Sequence, residues 1–333
     1  MVIGQAADDY HDQPAIGASG LKRLQVTPAH YWADFLDPER ERRDKKHFRI
    51  GRAWHCAVFE PEEFGKRYAA GHDAHPATTR AKLLAECLAA PSPSDWLMVC
   101  QALPEGLSRT SKEGKALVAD IEAAGGRALD AEDLDWITAW APKLIGRDVL
   151  SADSLAGVKA MAAIARSLPI SRVVFENMAG HGHAEVSLYA TDPATGVRLK
   201  IRPDYMLEPC EAFPDGLIID GKSTTDAGDG FGRQVWNLDY GFQAALYPRV
   251  YQQVFGTRRR PAYLWLAQEK DSPFACRYYA AGDDLQAHYD RRIDRLLPVF
   301  AECQQRGQWP GYPADVQTLA MPAYAEKQMA DAA

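Results

Sequence analysis

Arg202-Pro203-Asp204, followed by Leu217-Ile218-Ile219-Asp220-Gly221-Lys222, is the stretch on which the reading of this chain turns. The apolar run Leu217 to Ile219 predicts a short buried strand over Leu217–Asp220. Residues two apart on a strand project from the same face, so Asp220 and Lys222 stand side by side. The interval from Asp204 to Asp220 is long enough for a hairpin-like return that sets a second carboxylate beside them. Two acids and an ammonium at the end of a buried strand are costly unless they hold a hard cation. The layout is that of a magnesium-dependent phosphodiesterase. A D-x-K pair alone is usually a solvent-facing strand end. Here the apolar run before it, the Arg-Pro-Asp one hairpin earlier and the polar Ser223-Thr224-Thr225 after it favour chemistry. Carboxylate oxygens leave waters on such an ion, the ion makes one water a better nucleophile, and a neighbouring lysine holds or polarises it.

Other residues fit the same chemistry less directly. Gln243 and Tyr247 are four apart and share a helix face, distinct from the Phe242, Leu246, Val250 face expected in the core. That pair could orient a phosphate or a metal-bound water, or be packing and solvation only. His55 lies in the apolar stretch IGRAWHCAVF, where a histidine is more often a hydrogen-bonded core residue than a ligand, although neutral imidazole binds metals well. Glu185 begins a strand next to the Asp204 strand and is either a further carboxylate or an edge residue. Arg52, Arg109, Lys112, Lys115, Lys200 and Arg202 would suit a phosphate groove.

Composition limits the alternatives. At 333 residues, 47% hydrophobic and 25% charged, the chain is ordinary for a globular protein with a large core. A net charge of -7 argues against passive coating of nucleic acid, whose affinity comes from neutralised phosphates. It leaves room for an enzyme with acidic ligands and one basic groove. The 6 cysteines (Cys56, Cys87, Cys100, Cys210, Cys276 and Cys303) form no CxxC pair, so neither a zinc ribbon nor an iron–sulfur cluster is expected. No secretion signal and no apolar run of about 18 residues is seen, and the expectation is a cytoplasmic protein.

Along the chain, Ser19 is read as a helix N-cap, with two short helices around Thr27-Pro28. Asp37 to Lys46 reads as a solvated loop and Ile50 to Phe59 as a buried helix. Helices are expected at 107–125, 131–145 and 151–168. Strands Ala184–Ala190 and Val197–Leu207 flank a hairpin turn at Asp192–Gly196. One long helix is expected at Gln234–Phe255, strands at Ala262–Ala267 and Ala275–Ala280, and a helix from Asp283, its cap, to Gln305, closed by Gly307. The tail after Trp309 is expected to pack as irregular structure.

Taken in order, DYHDQPAIGASGLKRL, GRAWHC, GHAEVSLY, RPDYML, IIDGKST and QAALY resemble the PD-(D/E)XK nuclease domain of the RecE-type exodeoxyribonuclease VIII of phages and prophages, from about Tyr10 to Tyr324. The resemblance implies an α/β, restriction-endonuclease-like core: a mixed central sheet flanked by helices, with a helical N-terminal elaboration. It implies a single nuclease domain over 1–333, with the elaboration at 1–170 holding His55, the catalytic sheet–helix core at 171–310 and the irregular tail at 311–333. By matching position, His55, Asp204 and Asp220 would ligate Mg²⁺ (or Mn²⁺) and Lys222 would be the catalytic lysine. Gln243 and Tyr247 would be the QxxxY element, and Glu185 a recurrent acidic position. Such enzymes degrade one strand of linear double-stranded DNA 5′ to 3′, leave a 3′ strand for a single-strand annealing protein, and form ring-like homo-oligomers. The setting would be the cytoplasm of a bacterial host. Gly221 departs from the usual β-branched residue in the D-x-K and should soften the strand. The competing readings are an endonuclease of the same fold and a non-catalytic DNA-end-binding scaffold.

Overall fold

The computed structural model describes residues 1–40, 49–70 and 148–321. The helices expected at 107–125 and 131–145, Arg109, Lys112 and Lys115, and most of the Asp37–Lys46 loop lie outside the described residues.

LIIDGKST forms one eight-residue strand, β7 (Leu217–Thr224). It is longer than the apolar run suggested because its backbone stays paired with a parallel neighbour, β8 (Ala262–Glu269), out to Thr224 opposite Glu269. Parallel neighbours need a crossover, supplied by α8 (Gly230–Asn237) and α9 (Gly241–Phe255). The single helix expected over Gln234–Phe255 is thus two, starting earlier. Asp239, at φ 51°, turns the backbone left-handed between them. Antiparallel strands complete a mixed five-stranded sheet in the order β3 (Gly182–Ala184), β6 (Tyr205–Leu207), β7, β8, β9 (Cys276–Ala280).

The two strands expected on either side of the 192–196 turn each break in the middle. The turn is as read: Asp192 accepts from the Thr195 hydroxyl and N–H, and Gly196 has φ 72°. It joins β4 (Leu188–Thr191) to β5 (Arg198–Ile201) in a separate two-stranded sheet. The breaks have local causes. Glu185 takes a left-handed φ of 51°, and Pro203 has no N–H to give to a ladder. The chain therefore leaves one sheet and enters the other at these residues.

In the first part of the chain α1 (Ala7–Asp12), α2 (Ala18–Val26), α3 (Pro28–Phe35), α4 (Arg49–Phe59) and α5 (Pro61–Arg67) precede a parallel pair of three-residue strands, β1 (Tyr68–Ala70) and β2 (Asp148–Leu150). Then come α6 (Ala152–Ser167), capped by the Ser151 hydroxyl, and the one-turn α7 (Pro169–Arg172). Thr27 caps α3, whose first residue is Pro28, whereas Ser19 lies inside α2 and Gly17 is its cap. The last helix, α10 (Asp283–Arg306), likewise starts one residue after Gly282, and Gly307 closes it at φ 63°. After it the chain has no regular structure through Met321. Trp309 stacks on Tyr31 and Tyr312 meets His30 edge-on, whereas Val316 and Leu319 further along are almost fully exposed.

Two apolar layers sandwich the sheet. Ile218 packs with Phe242, Leu246 and Val250 of α9, Tyr289 and Ile293 of α10, and Leu21 and Leu24 of α2. Leu217 and Ile219 face the other way, onto Trp54 and Val58 of α4 and Val158 and Met161 of α6. Fully burying each such side chain contributes roughly 1.5–3 kcal/mol. Trp54 also donates to the Gln268 amide oxygen at 2.5 Å, and Gln268 donates to two backbone carbonyls, so the buried polar atoms there are paired.

Candidate metal centre

The alternation along β7 sorts its residues between the two layers. Asp220 and Lys222 follow Ile218 to the α9 side. Gly221 follows Ile219 to the α4 side, where an added Cβ would stand 2.9 Å from Phe59 and 3.0 Å from Trp54. The glycine is thus the contact point at which α4 approaches the strand. Its N–H donates to Asp204 Oδ2 at 2.6 Å, tying the break before β6 to β7. His55, on α4 between those two aromatic rings, places Nδ1 3.3 Å from the same oxygen. Trp54 and Phe59 meet the imidazole edge-on, at 5.0 and 5.8 Å between centroids, and hold its plane.

One donor atom each from His55, Glu185 and Asp204 lies within 4.8 Å of the others. Two ligands on opposite sides of one Mg²⁺ stand about 4.2 Å apart, so closing on a cation takes small side-chain movements. Glu185 is held by Arg202, whose Nε donates to Oε2 at 2.7 Å and whose Nη1 donates to Gln5 O. Asp220 sits outside this closest trio and is more deeply buried, at 1% side-chain exposure. Its Oδ1 accepts from Gln243 Nε2 at 2.8 Å, and the same amide nitrogen lies 3.3 Å from Tyr247 Oη. Its Oδ2 is paired with the Lys222 ammonium. A buried carboxylate that interacts electrostatically with Asp204 and His55, beside the trio of His55, Glu185 and Asp204, makes a fitting donor set for a divalent cation.

The charges are strongly interdependent. Burial pushes Asp220 up to about 6, against the pull of Lys222. Burial opposes the charged form of Lys222, but Asp220 and then Asp204 outweigh it and hold the amine above its ordinary value. Burial likewise works against ionised Asp204 and protonated His55, yet each stabilises the other's charge: the carboxyl moves down and the imidazole up. Glu185 is raised by burial and then by Asp204.

All seven residues singled out for chemistry (His55, Glu185, Asp204, Asp220, Lys222, Gln243 and Tyr247) therefore meet at one end of the sheet. Two more belong to the place and were not singled out. The Tyr240 ring has Lys222 Nζ at 4.8 Å and Lys22 Nζ at 5.1 Å. Lys22 donates to Leu238 O at 2.8 Å, and burial, then Lys222, lowers it to about 8. Tyr240 lies three residues before Gln243, a spacing that could have found it. No spacing could have found Lys22. Of the groove candidates, Arg52 is exposed on α4, and Arg202 serves Glu185. The Lys200 amine is turned inward onto the carbonyls of Tyr10, His11 and Gln13, so it lines no groove.

Residues 152–321, just over half of the chain, match the family described as a PDDEXK-like domain of unknown function (DUF3799). The chain belongs to this family. Membership supports a nuclease, and the mixed sheet flanked by helices is the restriction-endonuclease-like fold. A crystal structure of a Eubacterium rectale protein, provisionally described as an exonuclease, superposes with a TM-score of 0.51 at 11% identity, covering 99% of each chain; this speaks for the fold alone. A second solved structure, of SSO0001, is 10% identical and covers 75% of this chain and 86% of its own, but its TM-score of 0.26 carries no argument. No curated protein matches the sequence. The family match leaves out α4, so the PDDEXK-like domain as matched contains Glu185, Asp204, Asp220, Lys222, Gln243 and Tyr247 but not His55. No helix among the described residues is long and apolar enough to cross a membrane.

Proposed function

We propose that this PDDEXK-like protein is a divalent-metal-dependent exodeoxyribonuclease. It degrades one strand of linear double-stranded DNA, 5′ to 3′, and leaves a 3′ strand for an annealing protein. The observation that carries the reading is the gathering of His55, Glu185 and Asp204 donor atoms within 4.8 Å beside the Asp220–Lys222 pair. Asp204, Asp220 and His55 hold the cation, with Glu185 within reach as a further ligand. The imidazole makes Mn²⁺ at least as good a fit as Mg²⁺. When bound, the cation supplies a nucleophilic water and neutralises charge building on the phosphate. Lys222, fixed by Asp220 and lying over Tyr240, keeps its proton and can donate to the attacking water or a phosphate oxygen. Gln243 orients Asp220 through one amide hydrogen bond. Polarity, the ring-like oligomer and the annealing partner rest on the motif resemblance to RecE-type enzymes.

A time course on linear and on covalently closed circular duplex, with and without Mg²⁺ or Mn²⁺, tests the reading. Degradation of the linear form only, and only with metal, is the expected result. Nicking or linearisation of the circle would assign an endonuclease, and no hydrolysis of either would leave a DNA-end-binding scaffold. Duplexes labelled at the 5′ or 3′ end decide the polarity.

A further inference from the structure

We infer that a single DNA strand passes from the metal centre over the α8–α9 corner onto the outer face of α10, with Trp236 as a base-stacking platform and Arg291 and Arg295 as phosphate contacts. The path begins at Tyr240, the residue shared by Lys222 and Lys22. Four residues earlier, Trp236 is 55% exposed at the end of α8, and Leu238 beside it is 48% exposed. Leaving an indole this accessible wastes one of the largest hydrophobic contacts available to the fold. Its neighbours are not random. His288 of α10 lies 5.2 Å from the indole, tilted by 39°, and Tyr289 meets it edge-on, so one side is supported and the other is open. His288, which packs on this ring, also lines a shallow depression of about 310 Å³ together with Arg291, Asp294 and Arg295.

Charge complementarity selects the occupant. Of the four lining residues only Asp294 is acidic, and Arg249 already engages its carboxylate at 2.7 Å. Arg291 and Arg295 are exposed, one helical turn apart and about 6 Å from Cβ to Cβ. Arg233, one turn before Trp236 on α8, is exposed on the same side. An open aromatic face beside spaced guanidinium groups is the chemistry of single-strand binding: every unpaired base offers a face to stack, while a duplex hides its base faces. On a chain of net charge -7 such a basic stripe is a local feature rather than a general one. The inference rests on the nuclease reading only for the choice of a nucleic acid as ligand.

The test is binding of a fluorescein-labelled 15-nucleotide oligothymidylate to the full chain in EDTA, by anisotropy at several salt concentrations. Trp236→Ala should weaken binding about tenfold, as loss of one stacked base does. Arg291→Ala with Arg295→Ala should weaken it further and make the log–log salt slope shallower by about 1.4, two contacts at roughly 0.7 each. Hydrolysis of the small diester bis(p-nitrophenyl) phosphate with Mn²⁺ should be unchanged in both variants. Unchanged affinity and slope would overturn the path. So would parallel loss of small-diester hydrolysis, which would place the effect in the metal centre. A wild-type oligomer that these substitutions split into monomers would give the face to a second copy of the chain and also overturn it. Because the binding arms hold no metal, a wild type that binds but hydrolyses nothing would sink the nuclease reading and support the path.

Discussion

The two faces of the central sheet build the candidate metal centre in different ways. On the α9 face, Asp220 and Lys222 are delivered by strand alternation and Gln243 by helical spacing, and all sit within one strand–helix segment. On the α4 face, His55 arrives from a helix some 150 residues earlier in the chain, brought in by the contact of Trp54 and Phe59 with Gly221. One half of the site is local and repeats the periods of secondary structure. The other half is tertiary and depends on a missing side chain. A site assembled this way can lose its two halves separately.

The largest expected effect tests the local half. Lys222→Ala should lower hydrolysis of linear duplex with Mn²⁺ by about 10²–10³-fold or more, the scale of losing one preorganised charged donor. Circular dichroism should still report the folded chain, and near-wild-type activity would place the chemistry elsewhere. The tertiary half is tested next by Gly221→Val. Its Cβ would meet Phe59 and Trp54 at about van der Waals overlap, and overpacking of this kind costs roughly 1–3 kcal/mol. Thermal melting should show that loss together with weaker Mn²⁺ binding by calorimetry. His55→Ala should reproduce the weaker binding with a smaller loss of stability. If Gly221→Val keeps full affinity for Mn²⁺, α4 is not what positions the ligands.

The smallest effect is in pH. Asp220 is raised to about 6 by burial. Its neutral form therefore stabilises the metal-free protein fully below the ordinary carboxylate range, and that contribution is lost as pH rises through about 6. A cation needs the ionised form and has the opposite dependence. The stabilisation by Mn²⁺ in a thermal melt should grow between pH 5 and 7.5, with affinity changing up to about tenfold per unit below 6. Asp220→Asn should flatten this dependence. An equal Mn²⁺ shift at pH 5 and 7.5 in the wild type would contradict it.

How much of this was legible in the sequence follows the same division. The D-x-K strand, the Gln243–Tyr247 face and the 192–196 turn obey short-range rules and could be read directly. The helix break at Asp239 could not, because it rests on one left-handed aspartate in a stretch with continuous helical periodicity. The strand breaks at Glu185 and Pro203 were hidden for a similar reason: alternation continues through both, and only the proline marks the place. Gly221 was legible as an oddity but its meaning was not. The sequence suggests a softened strand, whereas the structure uses the absent Cβ to admit two aromatic rings. Lys22 and Tyr240 share a cation–ring arrangement that no linear pattern encodes across more than 200 residues. The family match, beginning at Ala152, has the same blind spot, since the helix carrying His55 lies outside it.

One lysine carries a consequence of another kind. The amine of Lys200 gives its three hydrogens to the carbonyls of Tyr10, His11 and Gln13, and burial lowers it to about 8. It acts as a rivet between the beginning of the chain and a strand nearly two hundred residues on. A planar guanidinium would not gather three acceptors around a single nitrogen. Removing Tyr10 through Gln13 would strip the rivet of its sockets and leave an amine without acceptors inside the protein, so this segment is a structural member of the fold.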